Sequence, residues 1–284
     1  MANVFLIAYN TTWHKVVFDP VTKEHSIAIE YLDMPGNIQA MIPSPSGYWW
    51  AGSGYDITTW TWNGIDTPTN ISTAVGERYY RPTVWGSDSE LAVGSDNVEW
   101  AYFYLVSSGN LSLQAINKTR PYGFKSGVAL GNKKFHIGRY VYEYVPAAPP
   151  NDPQFNIIAS TYEWMNHGVL LPANRWAMDR QEGYLHVFSN PDDLSEDQYL
   201  NLEPLAGATG GIAKSQCGKW LFIFLGAVHL LSIDQSTGLL TQEAWTSTIT
   251  TAGSTYRQNH ITMHADNNFV STISGGNLRA ISFE

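Results

Sequence analysis

The sequence has little cysteine, little charge and no long apolar run. Its 284 residues include a single cysteine, Cys217, so neither an intramolecular disulfide nor a cysteine-based zinc cluster can form. Charged residues make up only 14% of the chain, and 16 lysines and arginines stand against 25 acids, giving a formal net charge of −9. Because no basic run interrupts this acidity, the chain should repel phosphate backbones, and we expect no nucleic-acid partner.

The apolar segments predict neither a leader nor a membrane anchor. The N-terminal stretch MANVFLIAYNTTWHK has no basic region ahead of its short apolar run, which argues against a signal peptide. The longest apolar stretch, 220–231, contains Gly226 and is too short to span a bilayer. We therefore expect a soluble protein made in the cytoplasm, with no membrane insertion and no cofactor.

What the sequence does contain is an internal repeat. Each unit has a small-residue turn, a short strand, a second turn, an alternating strand, a Gly-containing turn and another strand. The first large residue after the opening turn recurs with a period near 44, at Phe5, Tyr48, Leu91, Phe135, Trp176, Trp220 and Phe269. Four short strands per unit at this period predict an all-β fold, a seven-bladed β-propeller with about four antiparallel strands per blade.

The repeat divides one domain, 1–284, into blades. Their predicted bounds are 1–37, 38–78, 79–122, 123–166, 167–208, 209–257 and 258–284. The terminal strands are expected to meet and close the ring, because an unpaired strand edge invites aggregation. Only 192–200 could hold a short helical turn.

A strand rich in small residues precedes each anchor and is predicted to be the innermost strand of its blade. These strands end in tight turns such as Ser44-Pro45-Ser46-Gly47, Ser215-Gln216-Cys217-Gly218 and His264-Ala265-Asp266-Asn267. Here the chain resembles seven-bladed propellers of the lactonase and YVTN type, whose inner strands end in a His/Ser-Pro-Asp-Gly-like turn. The resemblance implies the fold. The carboxylates that such lactonases place around an axial metal have no counterpart among the axial positions of this chain, so no metal is expected.

Residues just before the inner strands should converge at one end of the propeller axis. In chain order they are Gln39, Arg81, Lys125, His167, Gly210 and His260. Four of these six can carry positive charge, so they could bind a carboxylate or a phosphate. The alternative is that they are solvated loop residues around a water-filled channel. If the chain is an enzyme, His167 and His260 are the expected general base or acid.

Other groups suggest less chemistry. His260 and His264 are about 13 Å apart along a strand and cannot share one metal. The acidic stretch NPDDLSED lacks the spacing of a calcium loop and is interpreted as a solvated loop. Cys217 is interpreted as an ordinary turn residue.

Aromatic residues are abundant: 11 Trp, 16 Tyr and 11 Phe. Trp49, Trp50 and Tyr55 could form a glycan platform, since ring faces cover sugar C–H groups while amides bind hydroxyls. Packing between blades is the alternative. It suits Trp60 with Trp62, and Trp100 with Tyr102 and Tyr104, because alternation puts each set on one face of a strand.

Three functions remain open from the sequence. The leading hypothesis is a non-catalytic interaction or structural protein, because no catalytic motif is present; its low charge and polar, aromatic composition resemble phage virion and tail proteins. Its partners would be other proteins of an assembly or a surface glycan. The first alternative is a lactonase-like or cyclase-like enzyme with an axial anion site at Arg81, Lys125, His167, His260 and Gln39. The second is a glycan-binding lectin.

Overall fold

The structure is a computed structural model of the whole chain. It describes all residues except 1–2, 10–11, 20, 23, 32–39, 55, 64–65, 75–79, 96–99, 120–126, 148–151, 164, 181–182, 203–210, 216, 225–226, 247–260, 264–268, 275–276 and 283–284. Side chains are not described at some further strand positions, including all of those after residue 250.

The described residues form 26 strands in seven antiparallel sheets, which we call blades one to seven. Blades one to three hold β1 Asn3–Tyr9, β2 Thr12–Asp19, β3 Glu24–Tyr31; β4 Ala40–Pro43, β5 Trp49–Ser53, β6 Ile57–Thr61, β7 Thr69–Ala74; and β8 Tyr80–Ser87, β9 Glu90–Ser95, β10 Ala101–Ser107, β11 Asn110–Asn117. Blades four and five hold β12 Gly127–Gly131, β13 Lys134–Ile137, β14 Tyr140–Val145, β15 Gln154–Ser160; and β16 Met165–Leu170, β17 Trp176–Arg180, β18 Tyr184–Asn190, β19 Ser195–Asn201. Blades six and seven hold β20 Gly211–Lys214, β21 Trp220–Phe224, β22 Val228–Ile233, β23 Leu240–Thr246; and β24 Ile261–Met263, β25 Phe269–Ser274, β26 Asn277–Ser282.

The sheets are arranged as the repeat predicts. Within every blade the hydrogen-bonded order follows the chain, and the first strands of blades three to seven contact one another in succession. These first strands are the predicted inner strands. The β-propeller fold is therefore confirmed.

The expected helical turn at 192–200 is wrong. Residues 191–194 form a turn in which Leu194 has a φ of 54°, and β19 begins at Ser195. The Asp193 carboxylate accepts hydrogen bonds from the backbone N–H and the hydroxyl of Ser195, which favours a turn over a helix here.

Blades one and seven each contain three described strands, whereas the other blades contain four. Strand β3 of blade one contacts β26 of blade seven, so the first and last sheets are neighbours. The predicted hydrogen-bonded closure of the ring by terminal strands stays a prediction.

The hydrophobic core lies between adjacent blades, because each sheet must bury both faces. The clearest example is the five–six seam, a purely aliphatic cluster made of Leu171, Ala177, Leu185, Val187 and Leu202 of blade five and Leu221, Ile223, Leu231, Ile233 and Leu240 of blade six. Alternation along β17 and β21 sends every second side chain to this seam.

Two inner-strand turns share one geometry. In blade two the Ser44 hydroxyl accepts from the Trp49 N–H at 3.3 Å, and in blade six the Ser215 hydroxyl accepts from the Trp220 N–H at 3.0 Å. Each turn closes on a glycine with a φ of 74°, Gly47 or Gly218, a left-handed conformation that glycine adopts without strain. The turns at Ser44 and Ser215, which look alike in sequence, are therefore also alike in structure.

A bulge recurs between the last two strands of six blades. The third strand runs in register with the outer strand until one outer-strand residue is skipped, at Lys15/Val16, Thr59/Trp60, Phe103/Tyr104, Val141/Tyr142, Val187/Phe188 and Leu230/Leu231. Bulges of this kind bend a strand and re-aim its side chains. This outer bulge gives a common reference point for comparing blades.

Candidate functional site

Of the six predicted axial residues, His167 alone has a side chain that the structure describes. Gln39, Lys125, Gly210 and His260 lie outside the described residues. Arg81 is described in its backbone, as the second residue of β8, but not in its side chain. His167 is fully described, and the candidate site is built from it.

His167 is the third residue of β16, the inner strand of blade five, and it sits on a bulge. Met165 faces Arg180 and Gly168 faces Met178, so Asn166 and His167 together oppose the single residue Asp179. Bulges of two residues against one are common beside active sites, where they redirect a side chain.

The bulge brings two groups of His167 onto one carboxylate. The backbone N–H of His167 donates to Asp179 Oδ1 at 2.5 Å, and the ring Nδ1 lies 3.1 Å from Asp179 Oδ2. The Asp179 side chain is fully buried, whereas 12% of the His167 side chain stays exposed. A buried carboxylate without partners would be costly, so these two bonds fix both residues.

Blade three has the same irregularity in the same place. Tyr80 faces Ser95 and Thr83 faces Val93, which leaves Arg81 and Pro82 opposite Gly94. The two residues that the sequence predicts as an axial cation and an axial base therefore both lie on inner-strand bulges, in blades three and five.

Asp179 is the member of this candidate site that sequence reasoning missed. It is the fourth residue of its strand, where β21 has Ile223, and it follows the buried residues Trp176, Ala177 and Met178. The sequence signal that could have revealed it is an acidic residue at a core-facing position of the strand WAMDR, residues 176–180. That acid could not be paired with His167 without the bulge.

The His167–Asp179 pair has the geometry of a general base and the carboxylate that orients it. With Nδ1 held against a carboxylate, neutral His167 carries its proton on Nδ1 and leaves Nε2 as the basic nitrogen. A carboxylate in this position also stabilises the imidazolium that forms when Nε2 takes a proton.

A second polar network lies on the opposite face of blade five. Glu163 Oε1 is 2.7 Å from Arg180 Nη1, and Glu163 Oε2 is 3.4 Å from His186 Nε2. His186 Nδ1 is in turn 2.8 Å from Glu196 Oε2. This network pins the segment before β16 to blade five, and so supports the strand that carries His167.

The predicted glycan residues lie mostly within packing contacts. Trp49 packs against the cluster between blades two and three and makes an edge contact of 4.7 Å with Tyr48. Trp50 meets Trp62 edge-on at 5.9 Å beside the buried Trp13 and Trp60. Tyr55 lies outside the described residues. Trp100, Tyr102 and Tyr104 share one face, as alternation predicts.

The remaining candidates behave as ordinary side chains. Asp192 pairs with Lys134 at 2.5 Å, and Asp197 pairs with Arg175 at 2.5 Å. Cys217 is exposed, and a hydrogen bond with the Ser215 hydroxyl lowers the pKa of its thiol. Over the part of the chain that the structure describes, no group of three or more His, Cys, Asp or Glu is placed to hold a metal ion.

In the same described ranges, the structure contains no helix whose length and apolarity would let it cross a membrane.

No protein-family model matches the chain, and no curated protein matches it in sequence. Solved structures match it in fold. The periplasmic gluconolactonase of Pseudomonas aeruginosa aligns over 100% of this chain and 92% of its own, with a TM-score of 0.76 and 13% identity. A Bacteroides uniformis protein titled as a candidate 6-phosphogluconolactonase aligns over 100% and 92%, with a TM-score of 0.75 and 12% identity. The mitotic checkpoint complex contains a chain that aligns over 99% and 84%, with a TM-score of 0.71 and 11% identity.

These similarities correct the leading functional hypothesis. The expected non-catalytic virion or tail component is contradicted, because gluconolactonase-like propellers match this chain over its whole length, and the resemblance to phage proteins finds no support. What the similarities show is a lactonase-like β-propeller architecture.

Proposed function

We propose that this protein is a lactonase-like hydrolase that opens the ring of an anionic sugar lactone at the axial end of its inner strands. The observation that carries the proposal is the His167–Asp179 pair, which a bulge holds together near the start of the inner strand of blade five. The gluconolactonase-like fold supports the same reaction class.

The reaction follows from the geometry of the pair. His167 Nε2 removes a proton from a water molecule as that water attacks the lactone carbonyl carbon. The tetrahedral intermediate collapses by breaking the bond between this carbon and the ring oxygen, and the imidazolium returns the proton to that oxygen. The product is the open hydroxy acid, and Asp179 stays ionised throughout.

The substrate charge is argued from the sequence. Arg81 lies at the start of the inner strand of blade three, and Lys125, His260 and Gln39 come just before the predicted inner strands of three other blades. Three cationic groups at one axial mouth of a chain with net charge −9 would select a phosphate or carboxylate on the sugar. A sugar lactone phosphate is therefore preferred to its neutral counterpart.

The test compares hydrolysis of 6-phosphoglucono-δ-lactone and glucono-δ-lactone, followed as acid release above the spontaneous rate. We expect acceleration of the phosphorylated lactone, and a loss of about 10²–10⁴ in kcat for both His167→Gln and Asp179→Asn. Asp192→Asn, which removes an exposed acid of the same blade, is the matched control and should keep full activity. Arg81→Ala should raise KM for the phosphorylated lactone more than it lowers kcat.

Two outcomes would overturn the proposal. One is a wild-type protein that accelerates neither lactone. The other is a His167→Gln variant that keeps wild-type kcat. Thermal unfolding of each variant separates a lost base from a lost fold.

A further inference from the structure

Blades five and six share an arrangement at their outer edge that the axial site does not use. Two residues before the outer bulge, the third strand carries His186 in blade five and His229 in blade six. Both histidines are buried, with 5% and 0% exposure. Opposite them on the outer strands stand Tyr199 and Trp245.

The two aromatic side chains are both about half exposed. Tyr199 is 48% exposed and Trp245 is 47% exposed. Tyr199 stacks on Tyr184 with ring centroids 5.3 Å apart, and meets the edge of His186 at 5.0 Å. Tyr184 therefore covers one face of the Tyr199 ring, while much of Tyr199 remains accessible.

A polar side chain accompanies each aromatic residue, three positions earlier on the same strand. Glu196 Oε2 lies 2.8 Å from His186 Nδ1, and Gln242 Nε2 lies 3.2 Å from His229 Nδ1. Residues three apart on a regular strand would point to opposite faces, so it is the outer bulge that brings these pairs onto one histidine.

Both histidines lie on the same face of their blades. His186 is opposite Met178, which packs against Val128 and Val141 of blade four. His229 is opposite Ile223, which packs against blade five. The arrangement in blade five is thus repeated in blade six, on the corresponding face of the sheet.

We infer that these two outer-edge surfaces, which we call the rim sites, bind carbohydrate, one at Tyr199 with Glu196 and one at Trp245 with Gln242. The exposed ring offers a flat apolar face to a sugar, and the polar side chain beside it can bind hydroxyl groups. The ligand that suits both rim sites is neutral, because Glu196 gives one site a carboxylate and Gln242 gives the other an amide. This site class is separate from the axial lactonase site and does not rest on it.

The experiment measures binding of cellotetraose, maltotetraose and chitotetraose, each titrated separately by calorimetry. We expect at least one of them to bind with two sites per chain. Tyr199→Ala and Trp245→Ala should each remove one site, and the double variant should remove both. Tyr199→Phe should keep its site, because the flat ring remains.

Matched controls come from exposed residues that lack the histidine beneath. Ile116 is 39% exposed and stands at the equivalent position of blade three, opposite Tyr102, and Tyr162 is 94% exposed. Ile116→Ala and Tyr162→Ala should bind as the wild type does. Unchanged thermal unfolding and unchanged lactone hydrolysis would show that the rim variants are folded.

Four results would overturn the inference. They are no binding of the three tetrasaccharides, binding that survives in the double variant, and equal losses in the two controls. The fourth is that these rings bind tetramethylammonium and no sugar, which would make the rim sites cation-binding sites.

Discussion

The two faces of blade five are built from different chemistry. Its face toward blade six lies in the five–six seam, whose hydrophobic cluster is made of aliphatic side chains alone. Its face toward blade four forms the four–five seam, where Trp176, Phe188 and Met178 pack with Val128 and Val141 of blade four. His136 of blade four is also buried there, and it accepts a hydrogen bond from the Trp176 indole N–H at 2.9 Å.

This difference shows how each face of the blade accommodates buried polar groups. The four–five seam accommodates a buried histidine, because the Trp176 indole donates a hydrogen bond to one of its ring nitrogens. On the side toward blade six, Asp179 lies on the same face of β17 as Ala177. It is buried there and hydrogen-bonded to His167. An acid on the otherwise aliphatic face is best explained by the imidazole it orients.

The largest effect is expected in the five–six seam. Leu221 is fully buried there, and Leu221→Ala should lower the free energy of unfolding by about 2–5 kcal/mol, because it leaves a cavity that the neighbouring leucines cannot fill. Denaturant unfolding measures this. Leu113→Ala, at a side chain that is 47% exposed, is the control and should change stability little. Equal losses in the two variants would contradict the comparison.

Acid should weaken the four–five seam. Burial lowers the pKa of His136 to about 3, from its ordinary value near 6.5, so the unfolded chain binds more protons between these pH values. Stability is then complete above pH 6.5 and is lost as the pH falls toward 3. At a pH near 4.5 the loss should be about 3 kcal/mol.

The measurement is denaturant unfolding at several pH values. The double variant His136→Leu, Trp176→Phe removes both hydrogen-bonding groups and should flatten the pH dependence. His229, whose pKa burial lowers to about 4, is left in place and contributes the residual slope. A double variant with the full wild-type slope would show that His136 is not the sensitive group.

A smaller effect is expected at Gly168, where β16 passes the four–five seam. A methyl group there would overlap Met178 Sδ and touch Val128, both of them buried. Gly168→Ala should cost about 1–3 kcal/mol through overpacking. Met178→Ala should cost less stability in the Gly168→Ala background than in the wild type, because the two sites share one space. Additive losses would argue against the contact.

The smallest effect is expected at the surface link between blades four and five. Lys134 and Asp192 are 2.5 Å apart, but the Asp192 side chain is 65% exposed. Lys134→Ala should cost less than about 1 kcal/mol, and added salt should reduce even that. A loss comparable to that of Leu221→Ala would mean that the seam depends on charge.

The fold was predictable because its signals are local. Alternating short strands, turns with Gly47 and Gly218, and large residues such as Trp176 and Trp220 recur with one period, and each blade repeats them. The helical turn expected at 192–200 failed for a local reason as well, since the Asp193 carboxylate caps a turn through Ser195.

The site was predictable only in part. His167 was found because the repeat locates the start of each inner strand, although the structure puts it inside β16 and not just before that strand. Its partner Asp179 and the pairs at Tyr199 and Trp245 were not found, because each depends on a bulge that changes which residues share a face. A one-residue shift of this kind leaves no periodic trace in the sequence.

The chain-ordered pairing of strands has a mechanical consequence. Every hydrogen-bonded ladder described here joins strands that are consecutive in the chain, and neighbouring blades are held mainly by side-chain packing. Stretching the molecule by its ends should therefore unravel it one blade at a time. Each event would release a chain length of about 15 nm, the extended length of one repeat.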